Sequence, residues 1–380
     1  MWTSYALHTD LHFLNDLNLR YHAVPQPKTR VSHGMQRTIK KIINDQGQVE
    51  LGHFSEPVNQ LNGQDFDYRT VMGKPAGSLR QHFAYKQFQY FGAIGKDLIF
   101  GCAFADIRYI GACFAYVFRP SDKKMLTWQF KSPLAAGLNM ACRTDNDQST
   151  FKSGKNHASQ VYALNENGER RKHLGISFGN ELNIEAWMHE PKDYQTQSVC
   201  TPCAVNGWVY AQKTASLPVL GTLKCELGEF DLSELDCYGH HDFSAGYMRR
   251  DTFWNWACFS LPPTNSRPAL GLNISWGVNE SGFSENCIWI GTRCIALPQT
   301  QFFYDRDNKM GQWKIQSSDG SINLNFDAEG KHSEELNLFV LATDFHQIFG
   351  KFNGTIEIVG EPTITIENVW GFVEHQFSRW

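Results

Sequence analysis

Along most of this chain apolar residues recur in steps of two or in short buried-looking runs, the signature of strands rather than of helices. Lys86 to Arg119 carries Phe88, Tyr90, Leu98–Phe100 and Ile110–Phe118, interrupted at Gly92, Gly95 and the polar Asp106-Ile-Arg108, and predicts several adjacent strands with tight turns. Further strands are predicted over Leu182–Met188, Gly207–Lys213, Thr252–Leu261, Leu270–Trp276, Cys287–Leu297, Gln312–Gln316, Glu335–Ala342 and Thr355–Val359. Turn chemistry separates them: Asn165-Glu-Asn-Gly168, Asp319-Gly320, Glu329-Gly330 and Gly360-Glu-Pro362. Helical spacing is confined to residues 6–20, read as a short helix or an extended arm.

Many short strands with few helices predict an all-β protein, either two lipocalin-like antiparallel barrels or two strongly curved sheets in tandem. No repeat of 20–50 residues is visible, which disfavours propellers and solenoids. A loose break at Thr214–Val219 (Thr-Ala-Ser-Leu-Pro-Val) divides the chain into an N-terminal arm over 1–30, a first β domain over 31–215 and a second over 216–380.

Composition narrows the partners. Aromatic residues make up 13% of the 380, with 27 Phe, 13 Tyr and 11 Trp, enough to fill two β cores and to line a cavity. A formal charge of −4 gives no cationic surplus for a phosphate backbone, so nucleic acid is not an expected partner. No run approaches the ~18 uninterrupted apolar residues of a membrane span. The opening residues lack a basic segment followed by an apolar one, so no secretory signal is expected. Of ten cysteines, Cys102, Cys113, Cys258, Cys287 and Cys294 sit in apolar runs where a thiol packs as a small hydrophobe, and the reading is a reducing cytoplasm. Cys200-Thr-Pro-Cys203 has the spacing of half a zinc site or a redox pair. Cys225 and Cys237 supply no second close pair, however, and no βαβ context surrounds it, so packing is expected and no metal or cofactor is assigned.

The densest polar–aromatic segment runs from Asp236 to Trp256 and contains Tyr238, His240, His241, Asp242 and Tyr247. Alternation in its second part puts Thr252, Trp254 and Trp256 on one strand face and Phe253 and Asn255 on the other. A carboxyl group walled by aromatic rings loses hydration and stays protonated to higher pH, so Asp242 is the candidate acid. Indole faces stabilise a neighbouring cation by about 0.5–2 kcal/mol each, which suits protonation of an alkene. The structural alternative is a turn in which Asp242 caps backbone amides and the tryptophans are core. His240 and His241 are adjacent on a strand and point to opposite faces, a poor metal pair. Asp106 and Arg108 are expected to pair on one strand face, Glu374-His375 to face either a cavity or solvent, and Glu185 with His189 is discounted. Motifs for serine hydrolases, phosphate-binding loops and zinc proteases are missing from the sequence.

Several motifs carry a family resemblance. Gly52-His-Phe-Ser-Glu-Pro57, Phe83-Ala-Tyr-Lys-Gln-Phe-Gln-Tyr-Phe91, Phe104-Ala-Asp-Ile-Arg-Tyr-Ile-Gly111 and Gly207-Trp-Val-Tyr-Ala-Gln-Lys213 with Leu217-Pro-Val-Leu-Gly221 come in order. Asp242-Phe-Ser-Ala-Gly246, Thr252-Phe-Trp-Asn-Trp-Ala257, Ile348-Phe-Gly-Lys-Phe-Asn-Gly354 and Gly371-Phe-Val-Glu-His375 follow. From about Gly52 to Trp380 the chain resembles a bacterial family catalogued as domain of unknown function 2804. That resemblance implies fold kinship with double-lipocalin proteins such as carotenoid 1,2-hydratases and tocopherol cyclases, which act on isoprenoid alkenes without a cofactor. By this analogy Asp242 is the acid, Tyr238 or His241 tunes it, and Trp254 and Trp256 flank the cation. Thr252, Tyr247, Asp106 and Glu374 complete the expected ligand-binding set. In place of the hydratase pattern Asp-His followed by Trp-Gly, this chain has His241 before Asp242 and Phe243 after it.

The expected ligand is therefore an apolar small molecule, a lipid or isoprenoid. The expected activity is cofactor-free acid catalysis: hydration, isomerisation or cyclisation of a double bond. A non-catalytic carrier or sensor is the rival, and a carbohydrate-binding β protein, with Trp254 and Trp256 in an open groove, is the third reading.

Overall fold

The computed structural model describes residues 37–279 and 282–380; the predicted arm over 1–30 lies outside them. The regular structure of the described residues is almost entirely antiparallel strand, with one α-helix, Ser78–Ala84, and a 3-10 turn at Gly63–Asp65. It forms two strongly curved sheets of fourteen and nine strands.

The larger sheet runs in the order Lys124–Pro133, Ile110–Arg119, Ile99–Asp106, Tyr85–Ile94, Tyr238–Tyr247, Gly207–Cys225, Leu182–His189, Arg170–Phe178, Asn156–Leu164, Asp147–Ser153 and Leu138–Asn139, with Gln197–Cys203 and Gly228–Asp231 also paired to Gly207–Cys225 and Gly52–His53 paired to Gln197–Cys203. Its two ends curl toward each other: Phe130 near one edge packs 5.4 Å from Phe151 and 4.8 Å from Phe178 near the other. The enclosed core contains Phe91, Phe100, Leu174, Ile176 and Ile184. The smaller sheet runs Arg293–Ala296, Cys287–Ile290, Leu270–Trp276, Asp251–Leu261, Ile364–Arg379, Ala342–Ile356, Ile322–Asn337, Gln312–Ser317 and Thr300–Phe303, and likewise closes over its own core of Phe259, Trp313, Phe326 and Phe352.

Because side chains alternate along a strand, the strands near the middle of each sheet bury both faces. Phe91 points into the larger sheet's core while its neighbour Tyr90 points out, into a cluster with Tyr116, Phe118, Trp256, Phe349 and Phe372. Residues of both sheets meet in that cluster, so the two sheets pack back to back. Tyr90 Oη lies 2.5 Å from Tyr116 Oη and 3.2 Å from His240 Nε2, a polar knot inside the apolar seam.

Several expectations change. The break expected at Thr214–Val219, and with it the division between 215 and 216, falls inside the continuous strand Gly207–Cys225. The chain there makes a bulge, with Ser216 at φ 64° and a register shift between Ala215 and Leu217. Ser and Pro read as a loop, but Pro218 is exposed and the bulge absorbs the irregularity. Sheet membership changes instead between Tyr247 and Asp251. Glu329-Gly330 is likewise a bulge within Ile322–Asn337 and not a turn; Gly330 has no side chain because a Cβ there would come within 2.6 Å of Phe118. The strand predicted over Glu335–Ala342 is a hairpin, with Leu338 to Leu341 as its turn. Cys287–Leu297 is two short strands folded about Gly291, and Thr355–Val359 leaves the sheet after Ile356.

Candidate functional site

Where the two sheets part, a cavity of about 220 Å³ opens between them. Phe88, Tyr90, Phe114, Trp254, Trp256, Phe345 and Trp380 contribute to its aromatic wall, and Lys213, Asp242, Glu285 and Glu374 to its ionisable groups, with Lys131, Glu334 and Arg379 also lining it. The strand Tyr238–Tyr247 belongs to the larger sheet, whose register sets Lys213 directly opposite Asp242. In the smaller sheet Trp256 stands directly opposite Glu374.

Lys213 is the hub. Its Nζ lies 2.7 Å from Asp242 Oδ2, 3.4 Å from Glu285 Oε1 and 4.5 Å from the centre of the Trp256 ring. Burial alone would depress this lysine, but Asp242 and Glu285 hold it protonated well above the usual lysine range. Asp242 is pushed up by burial and pulled back by Lys213, and it also accepts a hydrogen bond from Ser244 Oγ at 3.2 Å. Burial leaves its carboxyl above the ordinary value, while the Lys213 ammonium at 2.7 Å and the 18% of its side chain still exposed favour the carboxylate.

Glu374 differs, because no cation touches it. Trp254 Nε1 donates to Oε2 at 3.2 Å and Gln347 Nε2 donates to Oε1 at 2.8 Å. Burial, reinforced by the negative charge of Asp242, pushes its carboxyl up to about 8, against the weaker pull of Trp254, Lys213 and Gln347. At neutral pH Glu374 is therefore an acid carrying its proton. Gln347 Oε1 has no other partner, so the same amide, turned over, can accept that proton.

Of the residues singled out from sequence, Asp242, Trp254, Trp256 and Glu374 meet at this cavity. The others do not line it. His241 points into the opposite side of its sheet, with Nε2 3.3 Å from both Gln89 Nε2 and Tyr162 Oη, and burial keeps its imidazole neutral. Tyr238, at the start of the same strand, pairs with Pro218 and Ile94. Tyr247 donates to Gly63 O at 2.9 Å and packs against Tyr68 and Trp208. Thr252 bonds the Arg249 carbonyl at 2.9 Å. Asp106 pairs with Arg108 at 3.0 Å as expected, but Arg108 lies past the strand end at φ 68°. Asp242 sits within a strand and not in a capping turn. Trp256 is 6% exposed and so lies in an interior, while Trp254 is half-buried.

Sequence reasoning missed Lys213, Glu285, Gln347 and Tyr90. Lys213 carries a legible signal: it is the one charge from Trp208 to Leu223, a lone ammonium in a strand apolar on both faces. Glu285 carries none, since it comes from a loop whose course no pattern fixes.

Neither Cys200 nor Cys203 is in a disulfide, and a spacing of three in the strand Gln197–Cys203 sends them to opposite faces. Among the described residues Glu335, Asp344 and His346 bring metal-ligating atoms within 4.8 Å. His346 Nε2 and His375 Nε2 both bond Asp344, at 2.7 and 3.1 Å, and Lys309 lies 3.7 Å from the same carboxylate, so hydrogen bonds and a counter-ion account for the cluster. Apart from this cluster, no described group suggests itself as a metal ligand set. No helix of the described residues is long and apolar enough to cross a membrane.

Residues 34–380 match the model of the family described as domain of unknown function, DUF2804. The chain belongs to that family, as its motifs suggested. No functionally curated protein matches it. Among solved structures it is similar to kievitone hydratase from Nectria haematococca, at 10% identity and a TM-score of 0.46 over 76% of this chain and 88% of that one. It is also similar to an AttH-type protein from Nitrosomonas europaea, at 10% identity and a TM-score of 0.41 over 76% of this chain and 92% of that one.

Proposed function

We propose that this protein encloses an apolar small molecule between its two sheets and acts on it by cofactor-free acid catalysis, with Glu374 as the acid. The observation that carries the reading is a buried carboxyl, pushed up to about 8, facing an aromatic-walled cavity of about 220 Å³. An acid whose pKa lies near the working pH both holds its proton and gives it up readily.

On an alkene, the π pair would take the proton from Glu374, forming a C–H bond, breaking the O–H bond and leaving a carbocation beside a new carboxylate. Capture by water gives an alcohol, capture by an internal hydroxyl gives a ring, and loss of a different proton moves the double bond. In each case the proton released returns to Glu374. Trp254 and Tyr90 line the cavity and are the rings that would meet the cation, while one face of Trp256 is already held by Lys213. The acid thus moves from Asp242, the expected residue, to Glu374, and Asp242 with Glu285 fixes Lys213. The substrate class, lipid or isoprenoid, rests on the apolar lining.

Native mass spectrometry of protein purified from cells, followed by organic extraction, identifies the bound molecule and the substrates to assay. On those, Glu374→Gln is expected to abolish turnover with affinity within a few-fold of wild type. Undiminished turnover in that variant removes the acid role, and binding without conversion by either protein leaves a carrier.

A further inference from the structure

The charged groups of the cavity wall are already paired. Among the described residues its cations are Lys131, Lys213 and Arg379. Lys131 Nζ lies 2.7 Å from Glu334 Oε1, Arg379 meets both oxygens of Asp251 at 2.8 Å, and Lys213 stands between Asp242 and Glu285. Each lining cation thus has a carboxylate partner. An anionic head group brought into this cavity would lose its hydration and find no unpaired cation in exchange.

Acceptor sites, by contrast, are in surplus. A carboxylate offers about four lone-pair positions. At Asp242 two donors reach them, Lys213 Nζ at Oδ2 and Ser244 Oγ at Oδ1. Asp242 lines the cavity and keeps 18% of its side chain exposed, whereas Glu285, on the other side of Lys213, keeps 3%. Asp242 is therefore the acceptor that a ligand can reach. Much of the remaining wall is apolar, with Ala103, Ala105, Ile107, Ile110 and Val209 beside the aromatic rings.

We propose that the cavity selects an apolar molecule with a hydrogen-bond-donating head, a hydroxyl or an ammonium, which Asp242 accepts, and that it rejects anionic lipids such as fatty acids. This deepens the reading of the cavity given above and rests on it. A hydrogen bond to an ionised acceptor is stronger than one between neutral groups, so the head fixes which end of the ligand stands at Asp242 and leaves the apolar body to the aromatic wall.

Displacement of N-phenyl-1-naphthylamine, an apolar fluorescent probe, from the full chain at pH 7 tests this. The competitors are octanol, octylamine, octanoate and heptyl methyl ether, which matches octanol in length and has no donor. Octanol, octylamine or both are expected to displace the probe at concentrations at least about tenfold below the ether, with octanoate the weakest of the set. A stronger octanol assigns a hydroxyl head and a stronger octylamine an ammonium head, and either upholds the proposal. Asp242→Leu is expected to keep probe binding and to bring octanol within about twofold of the ether; where that variant does not fold, the wild-type series decides alone. An ether as strong as octanol, or an octanoate as strong, overturns the proposal while probe binding leaves the cavity reading standing. A protein that binds neither the probe nor any competitor overturns the cavity reading itself.

Discussion

Lys213 and Asp242 are register partners on neighbouring antiparallel strands, and their charged atoms lie 2.7 Å apart at the wall of the cavity. That single pairing divides the carboxyl groups of the site into two kinds. Asp242 gains a cation and stands as a carboxylate. Glu374 has none and keeps its proton.

The raised carboxyl of Glu374 gives activity a definite pH dependence. Turnover that needs its proton should be level below about pH 8 and fall about tenfold per pH unit above it. The ionisable groups facing Glu374 are Lys213 and Asp242 from the other sheet, together with Tyr90, Tyr116 and Cys258. The two tyrosines and the cysteine are pushed above their ordinary values, so they stay neutral through this range. Stability follows the same proton. Between the unfolded value near 4.5 and the folded value of about 8, the native state holds a proton the unfolded chain has lost. The contribution of Glu374 to stability should therefore fall as pH rises through that window, by up to about 1.4 kcal/mol per pH unit, and level off above it. The difference in urea stability between wild type and Glu374→Gln, followed from pH 5 to 8, isolates this slope from the opposite one of the buried histidines, which both proteins share. Gln347 can turn its amide to meet the new one, so the variant is expected to fold.

Asp242→Asn removes a negative charge that helps keep Glu374 protonated. The alkaline limb of the pH–rate profile is expected to move to lower pH, with a modest loss of activity at pH 6. A complete loss at every pH would instead return the acid role to Asp242.

Replacing Lys213 by Met strands Asp242 and Glu285 without their cation. Breaking a buried pair in this way costs about 3–5 kcal/mol, measurable by urea denaturation. Lys213→Met with Asp242→Leu is expected to recover part of that loss.

Filling the cavity tests its use without touching an ionisable group. Ala105 lines it, and Ala105→Trp should weaken binding of the native ligand by at least about tenfold while leaving the thermal midpoint within a few degrees of wild type. Titration of the ligand and a melting curve decide between a filled cavity and an unused one.

Gly92 sits beneath the polar knot between the sheets, where an added Cβ would come within 2.3 Å of Tyr90 Oη and 2.5 Å of His240 Nε2. Gly92→Ala is expected to destabilise by about 1–3 kcal/mol through overpacking, visible as a lower urea midpoint. Because Tyr90 also walls the cavity, ligand affinity should fall with it.

How much of this was legible in advance follows from what each feature depends on. The period of two, the turn residues and the aromatic content are local properties, and they were enough for an all-β chain of curved sheets with few helices. Trp254, Trp256 and Asp242 stood out as candidates because an acid near aromatic rings is a chemical pattern visible in one dimension, whereas Glu374 was expected to face either a cavity or solvent. Alternation also put His240 and His241 on opposite faces, as they are found: His240 in the seam between the sheets and His241 inside the larger one.

Register was the missing quantity. Nothing local says that Lys213 faces Asp242 or that Trp256 faces Glu374, since each pairing joins segments set side by side by strand order. A pattern of Ser and Pro also cannot distinguish a loop from a bulge, because the difference lies in whether a neighbouring strand continues past it, as it does beside Ser216. The sequence by itself determined the material of the fold and the types of group available for chemistry. The tertiary structure alone decided which carboxyl group met a cation and which was buried without one, because desolvation and Coulomb attraction depend on distances between strands far apart in the chain.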